Sequence, residues 1–208
     1  MSISTLAEAK LVAHTLSSPS KMPGYGYSIP AFRCKVGSLL RQIKGTVCNS
    51  CYALKGRYVF PVVIEAMERR FRALEHPLWV DAMVFQINHY AKKSTFFRWH
   101  DSGDLQSEEH LWKICEVARR TPHVKHWLPT REVKLVNNYT GSIPENLIIR
   151  VSAAKIGTQL SNTKVPTSSV GLETDAGFQC SAYTRQGKCG PCRACWDKEV
   201  QNVNYPLH

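Results

Sequence analysis

The 208-residue chain is 43% apolar and 21% charged, a composition that supports a buried core and excludes an intrinsically disordered protein. No apolar run is long enough to span a bilayer, and the first residues lack the apolar stretch and cleavage site of a secretory signal. We therefore expect a cytoplasmic protein with no membrane partner. The formal net charge of +11 favours a polyanionic partner, either a nucleic acid or a phosphorylated substrate.

Helix and strand patterns alternate along most of the chain. Residues 1–30 are rich in Ser, Pro and Gly and predict an irregular segment, and residues 31–58 have no clear period and predict an organised loop. Apolar residues at helical spacing predict helices over 60–76 and 77–91, the first with Pro61 in its opening turn. The remaining predicted elements are a strand at 94–100, a helix at 108–120, a strand at 124–129, a short helix at 131–139, and strands at 145–154 and 168–174.

This alternation predicts an α/β fold with a mainly parallel sheet and cysteine-rich loops at both ends. The run Leu147–Val151, apolar except at Arg150, is typical of a parallel strand that is buried on both faces. We therefore expect three segments: an irregular one at 1–30, the α/β core at 31–175 and a cysteine-rich extension at 176–208.

Seven of the eight cysteines form two groups. The first cysteine group is Cys34, Cys48 and Cys51, spaced C-x13-C-x2-C. The second cysteine group is Cys180, Cys189, Cys192 and Cys195, spaced C-x8-C-x2-C-x2-C. In a reducing compartment this clustering indicates metal binding rather than disulfides. The eighth, Cys115, falls on the inner face of the helix that Ser107 is expected to cap, and is predicted to be a core thiol.

The second cysteine group favours an iron–sulfur cluster, with zinc as the alternative metal. Zinc sites usually pair their cysteines as two separate hooks, whereas bacterial ferredoxins use closely spaced runs such as C-x2-C-x2-C. Gly187 and Gly190 allow the chain to turn tightly around the sulfurs. Four cysteines would complete a [4Fe–4S] cluster without further ligands.

The first cysteine group offers only three thiolates, which would leave one iron of a [4Fe–4S] cluster open to a substrate or cofactor. Two alternatives remain open. A histidine, an aspartate or Cys115 could supply a fourth ligand, or all the cysteines could serve one structural centre.

A third candidate site follows the 94–100 strand, in the sequence His100, Asp101, Ser102, Gly103 and Asp104, called here the HDSGD turn. Polar side chains at the carboxyl end of a sheet strand are where α/β folds build their sites. The alternative is a turn that only caps the next helix.

These motifs together resemble a known family. The chain is similar to bacteriophage proteins related to the radical S-adenosylmethionine superfamily, which share "CYALKGRY", "HDSGD", "PENLIIRVS" and "KCGPCRACW" in similar order. The resemblance implies a reduced, partial (β/α) barrel. In the superfamily, three cysteines bind a [4Fe–4S] cluster whose open iron chelates S-adenosylmethionine, and an electron then cleaves the sulfonium to give a 5′-deoxyadenosyl radical.

By position, the resemblance implies that the first cysteine group ligates this cluster. Asp101, Ser102, Gly103 and Asp104 would contact S-adenosylmethionine, and His100, Asp101 and Asp104 would be the catalytic side chains. The second cysteine group would match the additional cluster that many members carry. A phage origin would place the protein in the cytoplasm of an infected host cell.

Three functions follow, in order of preference. The first is an iron–sulfur protein resembling a minimal radical S-adenosylmethionine enzyme, acting on a nucleic-acid or phosphorylated substrate and reduced by a reductase or ferredoxin-type donor. The second is a non-catalytic electron carrier or redox sensor. The third is a zinc-stapled nucleic-acid-binding protein.

Overall fold

The computed structural model describes residues 2–172 and 177–207. The helices are α1 (Leu6–Ala13), α2 (Lys35–Leu40), α3 (Pro61–Ala73), α4 (Trp79–Ala91), α5 (Glu108–Arg119) and α6 (Val133–Asn138). The strands are β1 (Tyr25–Tyr27), β2 (Phe96–Trp99), β3 (Lys125–Thr130), β4 (Leu147–Ser152), β5 (Thr167–Val170), β6 (Phe178–Gln179) and β7 (Asn202–Tyr205). Short 3-10 turns surround the two cysteine groups.

The strands within the described residues form one open, seven-stranded sheet in the order β1-β2-β3-β4-β5-β7-β6, and every pairing is parallel. The predicted α/β fold with a parallel sheet is confirmed, and the open sheet is consistent with a partial (β/α) barrel. Because all strands run in the same direction, the loops that follow β2, β3 and β4 meet at one edge of the sheet.

The two faces of the sheet are covered by different parts of the chain. Leu128 of β3 and Ile149 of β4 are buried in the apolar core with side chains of α1, α4 and α5. The neighbouring side chains Trp127 and Arg150 lie on the opposite face, since side chains alternate along a strand. There Trp127 packs edge-on against Trp196, with ring centroids 5.1 Å apart. The C-terminal segment therefore covers the face that the helices leave open.

The prediction of an irregular segment at 1–30 was wrong in part. Thr5 and Glu8 form a reciprocal capping box that begins α1, and Ala9 and Ala13 are fully buried against the core. Residues Tyr25–Tyr27 form β1, which pairs with β2. A strand of three residues is too short to show an alternating pattern, whereas the capping box was visible in the sequence.

The predicted helices α3, α4 and α5 are confirmed. Pro61 is the first residue of α3, and the Ser107 hydroxyl accepts a hydrogen bond from the His110 amide at the start of α5. Cys115 is fully buried in the core, as predicted for a packing thiol. No helix in the described parts of the chain is long and apolar enough to cross a membrane.

The three-segment division stays a prediction, and its boundary between residues 175 and 176 lies outside the described residues, as do the last residues of the predicted 168–174 strand. Strands from all three segments nevertheless belong to the same sheet: β1 from the first, β2 to β5 from the second, and β6 and β7 from the third.

Candidate metal centres

The first cysteine group lies against the carboxyl ends of β3 and β4. The loop before Cys48 docks on the residues after β4, where the Val47 amide donates to the Ala154 carbonyl (2.9 Å). Helix α2, which directly follows Cys34, docks after β3 through a 2.9 Å hydrogen bond from the Val36 amide to Glu132 Oε1. Two strand ends therefore position the loop that carries the three thiols.

Gly37 shows how closely two of these thiols approach each other. A Cβ atom added at Gly37 would lie 3.7 Å from the Sγ atoms of both Cys34 and Cys48, and 2.9 Å from the Cys34 Cβ. Glycine at this position leaves the space between the two sulfurs free of side-chain atoms.

The surroundings of Cys34 and Cys48 keep these two thiols protonated unless a cation is bound. Burial raises the pKa of Cys34, and the charges of Asp104, Cys51 and Cys48 raise it further. Burial also raises the pKa of Cys48, although the nearby Arg131 guanidinium opposes this rise. Because metal ligands are thiolates, a bound metal or cluster must displace these protons and replace them with its own positive charge.

Two tyrosines join the first cysteine group to the HDSGD turn. Tyr52 directly follows Cys51, and its hydroxyl donates to the Asp101 carbonyl (2.6 Å). The Tyr58 hydroxyl donates to Asp101 Oδ2 (2.9 Å). The two sequence motifs predicted to share a site are therefore in direct contact.

Asp104 has its carboxylate engaged by the protein itself. Its Oδ1 accepts hydrogen bonds from the Thr130 hydroxyl (2.5 Å) and the Leu105 amide (2.8 Å), and its Oδ2 accepts from the Arg131 amide (2.9 Å). Burial raises the pKa of Asp104 to about 6 although these hydrogen bonds lower it. Asp104 thus ties the HDSGD turn to the end of β3 and adds negative charge near Cys34.

Other polar atoms of the HDSGD turn have no hydrogen-bond partner among the described residues, although they are buried. They are both ring nitrogens of His100, the Ser102 hydroxyl and Asp101 Oδ1. Burial lowers the pKa of His100, and the neighbouring His110 and Arg98 lower it further, so the ring is neutral. Buried groups of this kind are normally satisfied, and their concentration in one turn indicates that a ligand or ordered water completes the site.

Two residues of the HDSGD turn, His100 and Gly103, have positive φ angles. His100 has φ of 53°, which is uncommon for a residue other than glycine. Gly103 has φ of 86°, and a Cβ atom there would lie 2.3 Å from Ile29 Cγ1. Only glycine fits at Gly103, so the turn is fixed against the residues that follow β1.

The second cysteine group surrounds one small pocket. All four cysteines line it, together with Phe178, Ala182, Arg185, Ala194, Trp196 and Val203. Gly187 and Gly190 have φ of 79° and 56°, which confirms the tight turns expected at these glycines. Burial raises the pKa of Cys195 to about 11, and the Tyr205 hydroxyl lies 3.2 Å from its sulfur.

Arg150 holds the segment that carries Cys195 on the sheet. Its side chain is fully buried, and its hydrogen-bond partners in the described parts of the chain are all carbonyl groups. Four of these carbonyls belong to the C-terminal segment: Ala194 (2.9 Å), Cys195 (3.2 Å), Asp197 (2.6 Å) and Val200 (2.7 Å). The Trp196 indole adds a 2.9 Å hydrogen bond to the Phe97 carbonyl of β2.

Arg98 of β2 reaches toward both cysteine groups. Its Nη2 donates to the Tyr52 hydroxyl (3.3 Å), beside the first group. Its charge also opposes the rise in the pKa of Cys195 that burial causes. The guanidinium lies over the Trp127 ring, 4.5 Å from the centroid. One partly buried cation thus stands between the two sets of thiols.

The structure separates the two cysteine groups and keeps Cys115 apart from both. The groups that act on the Cys115 thiol are Tyr139, Arg119 and Glu116, and none belongs to the first cysteine group. Cys115 is fully buried in the apolar core instead, which argues against it as the fourth ligand of the first group. No three His, Cys, Asp or Glu side chains in residues 2–172 and 177–207 converge closely enough to hold a single metal ion. Sets of three and four thiols at two places are the donor sets that iron–sulfur clusters use, so the chemistry of the residues fits such clusters.

Sequence reasoning missed several residues of these sites. Thr130 is the last residue of β3, and Arg131 and Glu132 follow it; the three contact Asp104, the Cys48 thiol and α2 respectively. The signal was the same as at the HDSGD turn, because these polar residues also lie at the carboxyl end of a buried strand. Arg98 and Arg150 were missed because an arginine inside a strand does not show which face it occupies.

The family model for gene product 88 matches residues 3–198, which include both cysteine groups and the HDSGD turn. The chain belongs to this family. The gene product 88 family is of phage type, in agreement with the bacteriophage resemblance, and its description names no metal and no reaction. Comparison with curated proteins and with solved structures gives no match.

Proposed function

We propose that this member of the gene product 88 family is an iron–sulfur protein with two [4Fe–4S] clusters, and that it acts as a minimal radical S-adenosylmethionine enzyme. The first cysteine group would hold a cluster with one open iron, and the second would hold a cluster with four cysteine ligands. The observation that carries the proposal is the contact between a three-thiol loop and the HDSGD turn at the carboxyl edge of a parallel sheet.

The residues of the HDSGD turn suit a small polar ligand. Asp101 Oδ1 can accept from an ammonium group, and the Ser102 hydroxyl and the His100 ring can donate or accept, since each lacks a protein partner among the described residues. Asp104 is already engaged by three donors, so we assign it to positioning the turn. S-adenosylmethionine bound at an open iron would supply a carbon radical once an external reductase or ferredoxin-type protein supplies an electron.

The first test is the iron, sulfide and zinc content of anaerobically purified protein. Two four-iron clusters correspond to about eight irons and eight sulfides per chain. Replacing Cys34, Cys48 and Cys51 with serine should leave about four irons, and replacing Cys189 and Cys192 with serine should also leave about four. Zinc without iron would overturn the proposal and support a zinc-stapled nucleic-acid-binding protein instead.

The second test distinguishes an enzyme from an electron carrier. The electron carrier is the second candidate function, because four cysteine ligands would leave no iron open in the second cysteine group. S-adenosylmethionine added to the reduced protein should change the electron paramagnetic resonance signal of the first cluster and release 5′-deoxyadenosine. S-adenosylhomocysteine, which lacks the reactive sulfonium, is the control. Unchanged spectra and no product from fully loaded protein would favour the electron carrier.

A further inference from the structure

We propose that residues 31–60, called here the basic rim, bind single-stranded nucleic acid next to the first cysteine group. The binding itself does not require a cluster. Only the further step, in which the bound strand is the substrate, rests on the proposed function.

All the charged residues of the basic rim are positive. It contains six lysine and arginine residues and no aspartate or glutamate: Arg33, Lys35, Arg41, Lys44, Lys55 and Arg57. Four of them, Lys35, Lys44, Lys55 and Arg57, are exposed and have no carboxylate within salt-bridge distance in the described parts of the chain. Unpaired cations held together on a surface attract a phosphate backbone.

The same thirty residues expose an unusual amount of apolar surface. Of the thirteen large apolar side chains exposed among the described residues, six belong to the basic rim: Phe32, Leu39, Ile43, Tyr52, Val59 and Phe60. The aromatic ones are 43%, 54% and 53% exposed for Phe32, Tyr52 and Phe60 respectively. Aromatic rings between cations are the features on which unpaired bases stack while their phosphates are neutralised. Duplex DNA hides its base faces and cannot use such rings.

Tyr52 is the best placed of these rings. Its hydroxyl is held by the Asp101 carbonyl, and its ring packs against Tyr58 with centroids 5.7 Å apart. A ring fixed in this way loses little conformational freedom when a base stacks on it. Because Tyr52 directly follows Cys51, a stacked base would lie beside the first cysteine group. This favours a nucleic acid over the alternative partner, an acidic electron-donor protein, which would use the cations but not the rings.

Fluorescence anisotropy of labelled oligonucleotides tests the basic rim in the whole protein. We expect dT20 and rU20 to bind more tightly than a 20-base-pair duplex. The double variant Lys55→Gln/Arg57→Gln should weaken single-strand binding at least tenfold and reduce the slope of log K against log salt by about 1.4, or about 0.7 for each lost phosphate contact. Phe60→Ala should weaken binding about tenfold, because one base loses the aromatic ring on which it stacks.

Lys92→Gln/Lys93→Gln is the matched control, since it removes two exposed lysines from the connection between α4 and β2, at the opposite edge of the sheet. It should leave binding within twofold of wild type. Equal weakening by both double variants, no effect of Phe60→Ala, or displacement of the oligonucleotide by polyglutamate at equal charge would each overturn the proposal, and the last would indicate an acidic protein partner. Iron content measured for every variant distinguishes failure of the rim from failure of the proposed clusters.

Discussion

Individual residues set the shape of the HDSGD turn, and Gly103 is the most constrained of them. Its positive φ and the 2.3 Å approach of a would-be Cβ to Ile29 Cγ1 are two separate obstacles to any side chain. Gly45 has a similar φ of 79° but no atom within 4 Å of its would-be Cβ. The two glycines therefore distinguish the cost of backbone strain from the cost of a steric clash.

Gly103→Ala is expected to lower the free energy of unfolding by about 3 kcal/mol, because it adds a clash with the backbone and side chain of Ile29 to a strained φ. Gly45→Ala should cost only about 1 kcal/mol, the contribution of the strained φ alone. Urea unfolding of the two variants measures the difference. Equal losses would show that the turn can move away from Ile29.

Buried neutral histidines are a second feature at this scale, and His126 is the simplest case. The Thr121 hydroxyl donates to the Val117 carbonyl (2.8 Å), so it accepts from His126 Nε2 (2.9 Å), while Nδ1 has no partner in the described structure. Burial, together with the smaller effect of the nearby His123, lowers the pKa of His126 to about 3. The folded protein therefore excludes a proton that the unfolded chain binds.

This predicts a loss of stability in mild acid. The unfolded pKa of histidine is about 6.5, so the contribution of His126 is complete above that pH and falls by about 1.4 kcal/mol per unit as the pH drops from 6.5 toward 3. His126→Gln keeps a hydrogen-bond donor near the position of Nε2. Between pH 7 and pH 5, its free energy of unfolding, measured in urea, should fall by about 2 kcal/mol less than that of wild type. His89→Gln, at an exposed position, is the control and should follow wild type. Parallel curves for wild type and His126→Gln would contradict the prediction.

At the scale of elements, the segment of residues 194–200 depends on Arg150 rather than on secondary structure. It contains only one short 3-10 turn, Ala194–Trp196, and its carbonyl groups are bound by a buried guanidinium. Hydrogen bonds to a charged donor are individually stronger than those between neutral groups. Arg150 of β4 therefore provides most of the hydrogen bonds that hold this side of the second cysteine group's pocket on the sheet, beside the one from Trp196.

Arg150→Met is expected to lower the free energy of unfolding by about 3 kcal/mol, because it leaves several buried carbonyls unpaired. Amide hydrogen exchange of residues 194–200 should accelerate, and iron bound by the second cysteine group should be lost before iron bound by the first. Arg120→Met is the control, since Arg120 forms an exposed pair with Asp81 and should cost less than about 1 kcal/mol. Wild-type exchange rates in Arg150→Met would show that Trp196 alone holds the segment.

Elements with strong local signals could be predicted from the sequence, and those that depend on distant contacts could not. The Ser107 cap and the apolar face around Cys115 lie within one helix, so α5 was recognised correctly. The Tyr52 and Tyr58 contacts with Asp101 span more than 40 residues and leave no local pattern. Both cysteine groups were visible as spacings, whereas their separation in space and the position of Arg98 between them required the fold.

For the whole molecule, the sheet order shows that the cysteine-rich extension is part of the core structure. Strand β7 lies between β5 and β6, and the buried side chains of Asn202 and Thr167 are hydrogen bonded across the pair (2.9 Å). Removing the extension would expose the edge of β5 and the face of the sheet that carries Arg150.

A chain that ends at Leu172 is therefore expected to be insoluble or unfolded rather than a smaller working core. Soluble yield and far-ultraviolet circular dichroism, compared with the full chain, measure this. A truncation only after Tyr205 is the control, because it leaves all the strands of the described residues in place. A folded, soluble product ending at Leu172 that retains iron at the first cysteine group would show that the extension is a separable unit.

Arg150 donates hydrogen bonds to carbonyl groups of residues that lie 44 to 50 positions later in the chain. This separation also determines when the arginine can be buried during biosynthesis. At about 5–20 residues per second, the ribosome adds those carbonyls roughly 2–10 seconds after the arginine. Throughout that interval the nascent chain carries a cation without these carbonyl partners, so this part of the sheet closes only after residues 194–200 have been synthesised. An incomplete translation product is thereby left with an open, charged face that proteases can attack.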